Sequence, residues 1–118
     1  MPYDGTNFVE VIERQVVVDL RAVRKRIGRE EDWCGTSLSG SRLKSDGSYA
    51  LCLLNAMDVV TFPRMSDRGA VFEALTRAGG FGSGRVISAF NDSHTHAEVL
   101  ALIDRAIVAE LERAECVG

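Results

Sequence analysis

Residues 85–114 read RVISAFNDSHTHAEVLALIDRAIVAELERA, an apolar segment that meets a polar corner and then a long amphipathic run. Thr95 stands three positions before Glu98, and apolar residues follow at once. This is the sequence form of a capping box, in which a hydroxyl and a carboxylate each take a backbone amide that the first helical turn leaves free. The spacing predicts a helix from about His96. Leu100, Ile103, Ile107, Leu111 and Ala114 recur at intervals of three and four, so they share one stripe, widened by Val99, Leu102 and Ala106. Asp104, Arg105, Glu112 and Glu115 fall largely opposite. A helix of this kind must bury its stripe against the rest of the chain, which points to a mainly helical fold around one interior.

Upstream, Asn7 precedes Glu10 by three, and Phe8, Ile12, Val16, Leu20, Val23 and Ile27 follow at helical spacing, which predicts an amphipathic helix ending near Gly28. The β-branched run Val16, Val17, Val18 favours a strand, but the six-residue stripe outweighs it. Arg21, Arg24, Lys25, Arg26 and Arg29 crowd the end of this helix, where cations complement its dipole. A solvated basic face accounts for them better than a site for an anion or a nucleic acid does.

Residues 29–48, REEDWCGTSLSGSRLKSDGS, lose the periodicity and hold three Gly and five Ser. They predict a loop with a short β-hairpin at most, pinned by Trp33 and Leu38. From Tyr49 to Val60 the chain is apolar on nearly every side, with Asn55 and Asp58 as its strongly polar members, and this predicts a central helix wrapped by others. Pro63 forces a turn. Ser66 or Asp67 then caps a further helix that buries Val71, Phe72, Leu75 and Ala78 and stops at Gly79 and Gly80. Val86 to Phe90 is expected to be extended or a short buried turn. The reading is therefore an all-α or mainly α bundle of about four helices, a single domain over 1–118, with residues 1–6 as a loose arm.

The 118 residues carry a formal net charge of −3, which disfavours general binding to nucleic acid or anionic membrane. No apolar run reaches the roughly 18 residues of a membrane span, and MPYDGTNF lacks the form of a signal peptide, so a cytoplasmic protein is expected. Cys34, Cys52 and Cys116 are odd in number and show no CxxC spacing, which favours free thiols.

Three short signatures stand out: Trp33-Cys34-Gly35 with Thr36, Ser37 and Leu38; Leu51-Cys52-Leu53-Leu54-Asn55-Ala56; and Ala89-Phe90-Asn91-Asp92 leading into Thr95, Glu98 and Val99. Together they resemble a small bacterial and phage family of unknown function with W-C-x-G-x-L, C-L-x-G-A and W-N-D motifs, over roughly residues 8–114. Asn55 stands where that pattern has Gly, and Phe90 where it has Trp. The resemblance implies a helical fold and brings no reaction, cofactor or catalytic residue with it.

Four constellations could carry chemistry. Cys34 with His94 or His96 as base, oriented by Asn91 or Asp92, has the parts of a thiol nucleophile, although a structural cysteine beside Trp33 explains Cys34 more simply. His94-x-His96 with Asp92 offers zinc-type ligands, but flanking a cap residue the two imidazoles need not converge, and no metal or cofactor is expected. The glycines of GGFGSGR, residues 79–85, could cradle a phosphate with Arg85, yet a helix precedes them, the reverse of the order such loops need. Asn91-Asp92 reads first as turn and cap chemistry, and second as a polar corner that gathers Trp33, Cys34 and Arg85 around a small ligand or peptide. The leading function is a non-enzymatic binding or regulatory module that acts on a protein partner or on a second copy of itself. The alternative is a small thiol-dependent hydrolase using Cys34.

Overall fold

The computed structural model describes residues 13–36, 40–82 and 85–117, the side chains of Arg85 and of residues 114–117 excepted. Among these residues the order is α1 (Gln15–Arg26), a 3-10 turn (Glu30–Asp32), β1 (Ser41–Leu43), β2 (Tyr49–Leu51), α2 (Leu53–Thr61), α3 (Met65–Gly79), α4 (Arg85–Ser93) and α5 (His96–Val117). The fold is mainly helical with a two-stranded hairpin. α5 packs on α1 and α3, and α2 packs among α1, α3 and α4. One apolar interior joins Leu20 and Val23 of α1, Leu53 and Met57 of α2, Leu75 of α3, Ile87 of α4, and Leu102 and Ile103 of α5, all fully buried.

α5 follows its sequence closely. Glu98 Oε1 accepts the Thr95 amide at 2.9 Å while Thr95 Oγ1 accepts the Glu98 amide at 3.2 Å, the reciprocal pair of a capping box. Val99, Leu102, Ile103, Ala106 and Ile107 are buried, and Leu100 and Leu111 are partly so. Ala114 and Cys116 have side chains outside the described set, as do residues 1–12 with the expected arm and the Asn7 cap, and residues 37–39 with the Leu38 anchor.

Four expectations need correction. The first helix among the described residues begins at Gln15: Arg14, inside the expected helix, is extended, at φ −62° and ψ 151°, and its guanidinium reaches across to Glu110. The apolar run from Tyr49 is divided, since Tyr49–Leu51 is a strand and the helix starts only at Leu53. Apolar residues on nearly every side give the strand and the helix the same sequence pattern. α2 is also less enclosed than expected, because Val59 is exposed. The third helix begins at Met65 with Arg64 as its N-cap, with no capping hydrogen bond from that side chain; Ser66 and Asp67 lie inside the helix. Last, Arg85–Ser93 is a helix, which raises the number from four to five among the described residues. Ile87 and Asn91 lie one turn apart on its buried side, a helical period that the adjacent Val86 and Ile87 disguise.

Two glycines are required where they stand. Gly80 ends α3 in the left-handed region, φ 69°, with its amide and that of Phe81 bonded back to Arg77 and Thr76. Gly40 has φ 77°, and a Cβ there would come 2.5 Å from Asn55 Nδ2. That amide donates to the Gly40 carbonyl at 2.7 Å, tying the start of the hairpin to α2.

Candidate functional site

Asn91 lies on the buried face of α4, 1% exposed, and uses both ends of its amide. Its Oδ1 accepts Trp33 Nε1–H at 2.8 Å and the Leu53 amide at 3.1 Å. Its Nδ2 donates to the Cys34 carbonyl at 3.2 Å and to Asp92 Oδ1 at 3.1 Å. A short parallel bridge pairs Trp33 with Leu51, and the Cys34 amide donates to the Leu51 carbonyl at 2.9 Å. The segments around Trp33-Cys34, Cys52-Asn55 and Asn91-Asp92 therefore meet at one point. Leu53 opens α2, so Asn91 closes a helix end: it satisfies a first-turn amide that has no partner within the helix. Cys52 completes the closure, its Sγ accepting the Asn55 amide at 3.4 Å. Burial pushes the Cys52 thiol above its ordinary range, more than the amides of Asn55 and Leu54 pull it down. At neutral pH it is an uncharged cap.

The other candidates have separate partners. Cys34 is 4% exposed and its thiol donates to the Thr36 carbonyl at 3.4 Å. His94 stacks on Phe90 with ring centroids 3.8 Å apart, and its Nδ1–H donates to the Phe90 carbonyl at 3.0 Å. His96 turns to α1, where its Nε2–H donates to the Ile27 carbonyl at 2.6 Å, and its ring lies against Trp33 at 5.5 Å. Among the described residues no hydrogen bond joins either imidazole to Cys34, and no group of three His, Cys, Asp or Glu side chains is arranged to hold a metal. Arg85 begins α4, and its side chain lies outside the described set.

The basic end of α1 is largely neutralised. Arg21 pairs with Glu13 at 2.8 Å and Arg24 with Asp104 at 2.6 Å; Arg26 donates to the Tyr49 carbonyl, and Arg29 pairs with Asp32. Lys44 also binds Asp32, holding the hairpin on the 3-10 turn, and the hydrogen bonds from Lys44 and Arg29 keep the Asp32 carboxyl below its ordinary range.

Three features escaped the sequence reading. Asp19 is buried and accepts from both Nη groups of Arg64, at 3.1 and 3.2 Å. Glu110 is buried among three arginines. Both carboxylates interrupt apolar stripes at helical spacing, Asp19 between Val16 and Val23 and Glu110 three residues after Ile107. That placement is the signal that could have found them. The third is a concavity of about 360 Å³ between hairpin and α2, lined by Arg26, Tyr49, Leu51, Asn55, Asp58 and Val59. Two of its lining side chains, Tyr49 (50% exposed) and Val59 (58%), are large, apolar and open to solvent; Leu43, the cross-strand partner of Tyr49, and Phe62, three residues after Val59, are exposed as well.

A mainly helical fold with an internal polar joint and an open concavity beside the hairpin is the class that fold and site define. Residues 12–109 match the family of unknown function DUF6197, and the chain belongs to that family. No curated protein and no solved structure matches it. Among the described residues no helix is long and apolar enough to cross a membrane.

Proposed function

We propose that this chain is a non-enzymatic cytoplasmic binding module that engages a protein partner through the face formed by the hairpin and the end of α2. The observation that carries the reading is a concavity lined by the exposed apolar side chains of Tyr49 and Val59 together with Arg26 and Asp58, with Leu43 exposed across the hairpin from Tyr49. Exposed large apolar side chains are ordinary when scattered; gathered around one depression with a polar rim they fit the anatomy of a protein interface. Tyr49 has the makings of an anchor, being large, amphipathic and poor in rotamers to lose. Asn91 and Cys34, two of the residues that suggested chemistry, are by contrast buried and bonded to backbone or to Trp33.

The test is a photo-crosslinking residue at position 49, compared with one at the exposed Arg105 on α5. The expected result is a discrete protein adduct from position 49 only, with a partner that rebinds as a purified pair and loses about tenfold or more in affinity on Val59→Asp. Equal labelling from both positions overturns the reading. An adduct to a second copy of the chain gives the face to a homo-oligomer instead. Rapid alkylation of Cys34 in the folded protein near pH 7, with turnover lost in Cys34→Ser, would replace the reading with the thiol hydrolase.

A further inference from the structure

At the far end of α5 one buried carboxylate gathers three cations from three segments. Glu110 Oε1 accepts Arg14 Nη2 at 3.1 Å and lies 3.4 Å from Arg113 Nε, while Oε2 accepts Arg77 Nη2 at 2.7 Å. Arg14 Nη1 also donates to the Glu110 carbonyl at 3.2 Å. The carboxylate side chain is 2% exposed, whereas those of Arg14, Arg77 and Arg113 are 43%, 45% and 54% exposed. The acid is sealed in, while the three arginine side chains that converge on it remain half-exposed. Glu73 is the other carboxylate within 4 Å of them among the described residues, 3.8 Å from Arg77 Nη1.

A guanidinium has five N–H donors in a rigid fork, and Glu110 occupies only part of each. Arg113 is engaged through Nε, so both its Nη groups keep their donors. Among the described residues three cations meet two carboxylates, a local positive surplus on a chain whose net charge is −3. Their convergence is also fixed by folding, since α3, α5 and the lead into α1 are held together around Glu110. A multiply charged oxyanion would therefore meet donors whose side-chain freedom is already restricted.

We propose that Arg14, Arg77 and Arg113 form a binding site for a phosphoryl dianion, with Glu110 as the buried post that orients them. A phosphoryl group has the charge to match the surplus and three terminal oxygens to share among three forks. This site is independent of the face assigned to the protein partner, and each can fail without the other. A purely structural ion-pair cluster would hold the same three segments together but would show no saturable response to phosphate.

The experiment titrates the folded chain with inorganic phosphate at constant ionic strength and follows backbone amide resonances. The expected result is saturable shifts near residues 14, 77 and 113. Arg113→Gln, which removes the least engaged guanidinium, should weaken phosphate about fivefold or more, and Arg21→Gln, in the separate pair with Glu13, should leave it unchanged. Arg77→Lys keeps the charge and loses the fork, so it should also weaken phosphate while preserving the fold. A parallel titration with a phosphoserine peptide and its serine counterpart separates the sources. Tenfold tighter binding of the phosphopeptide than of phosphate, a margin of about 1.4 kcal/mol, assigns the group to a phosphorylated chain, and equal binding assigns it to free phosphate. Shifts that grow linearly without saturating, or that are the same in wild type and Arg113→Gln, overturn the proposal.

Discussion

Asn91 joins four partners from three segments through one amide, and no other uncharged side chain of similar size offers two acceptor sites and two donors in that geometry. Asn91→Ala should leave the Trp33 indole, the Leu53 amide and the Cys34 carbonyl short of partners. At ~1–3 kcal/mol for each buried group left unsatisfied, a loss of about 3 kcal/mol or more is expected, read from the urea midpoint and accompanied by a changed Trp33 emission. A midpoint within about 0.5 kcal/mol of wild type would mean that water replaces the amide without penalty. The residue types around this joint were legible in the sequence as cap and turn chemistry. Their meeting was not, because it depends on Trp33 pairing with Leu51 and on α4 being a helix, and neither follows from spacing within one segment.

α5 shows why some elements can be read at sight. Its cap, its stripe and its polar face all agree, so local preference and tertiary packing point the same way. The cap and the stripe differ in weight, however. Thr95→Ala should cost ~1 kcal/mol, the usual worth of an N-cap side chain. Ile103→Ala, at a position with no exposure, should cost ~2–5 kcal/mol through lost burial and the cavity left behind. Thermal or urea unfolding of the two variants side by side checks the order, and a Thr95→Ala loss equal to or above that of Ile103→Ala would contradict it. Where levels of preference compete, the reading failed. Tyr49–Leu51 and Leu53–Thr61 share one unbroken apolar run, and the change from strand to helix at Cys52 is made by partners distant in sequence, the Gly40 carbonyl on the Cys52 amide and Asn91 on the Leu53 amide. α4 hid in the same way, since two adjacent β-branched residues outweighed a period that only nine residues display.

For the molecule as a whole the decisive group is Glu110, which ties the lead into α1 to α3 and α5. Burial alone would raise its carboxyl pKa, but the Arg77 hydrogen bond and the charges of Arg77, Arg113 and Arg14 outweigh it and hold the group below the ordinary carboxylate range. A carboxyl whose folded pKa is depressed adds stability that is fully present above its unfolded value, about 4.3 for glutamate, and is lost as pH falls through the folded pKa. Glu110→Gln should therefore lower stability at pH 7 by about 1–3 kcal/mol, less than the loss for a fully buried pair because the half-exposed arginines regain water. Its acid limb should also be shallower than that of the wild type. The two urea midpoints should converge as the pH drops below about 4. Glu13, Asp32, Asp46 and Glu98, also depressed, remain in both proteins and supply the decline that is left. Parallel curves with a constant offset across pH 3–7 would show that the glutamate acts through packing and not through its charge. Convergence would establish that the lead into α1, α3 and α5 are locked through a single ionised carboxylate, the same post on which the proposed phosphoryl site rests.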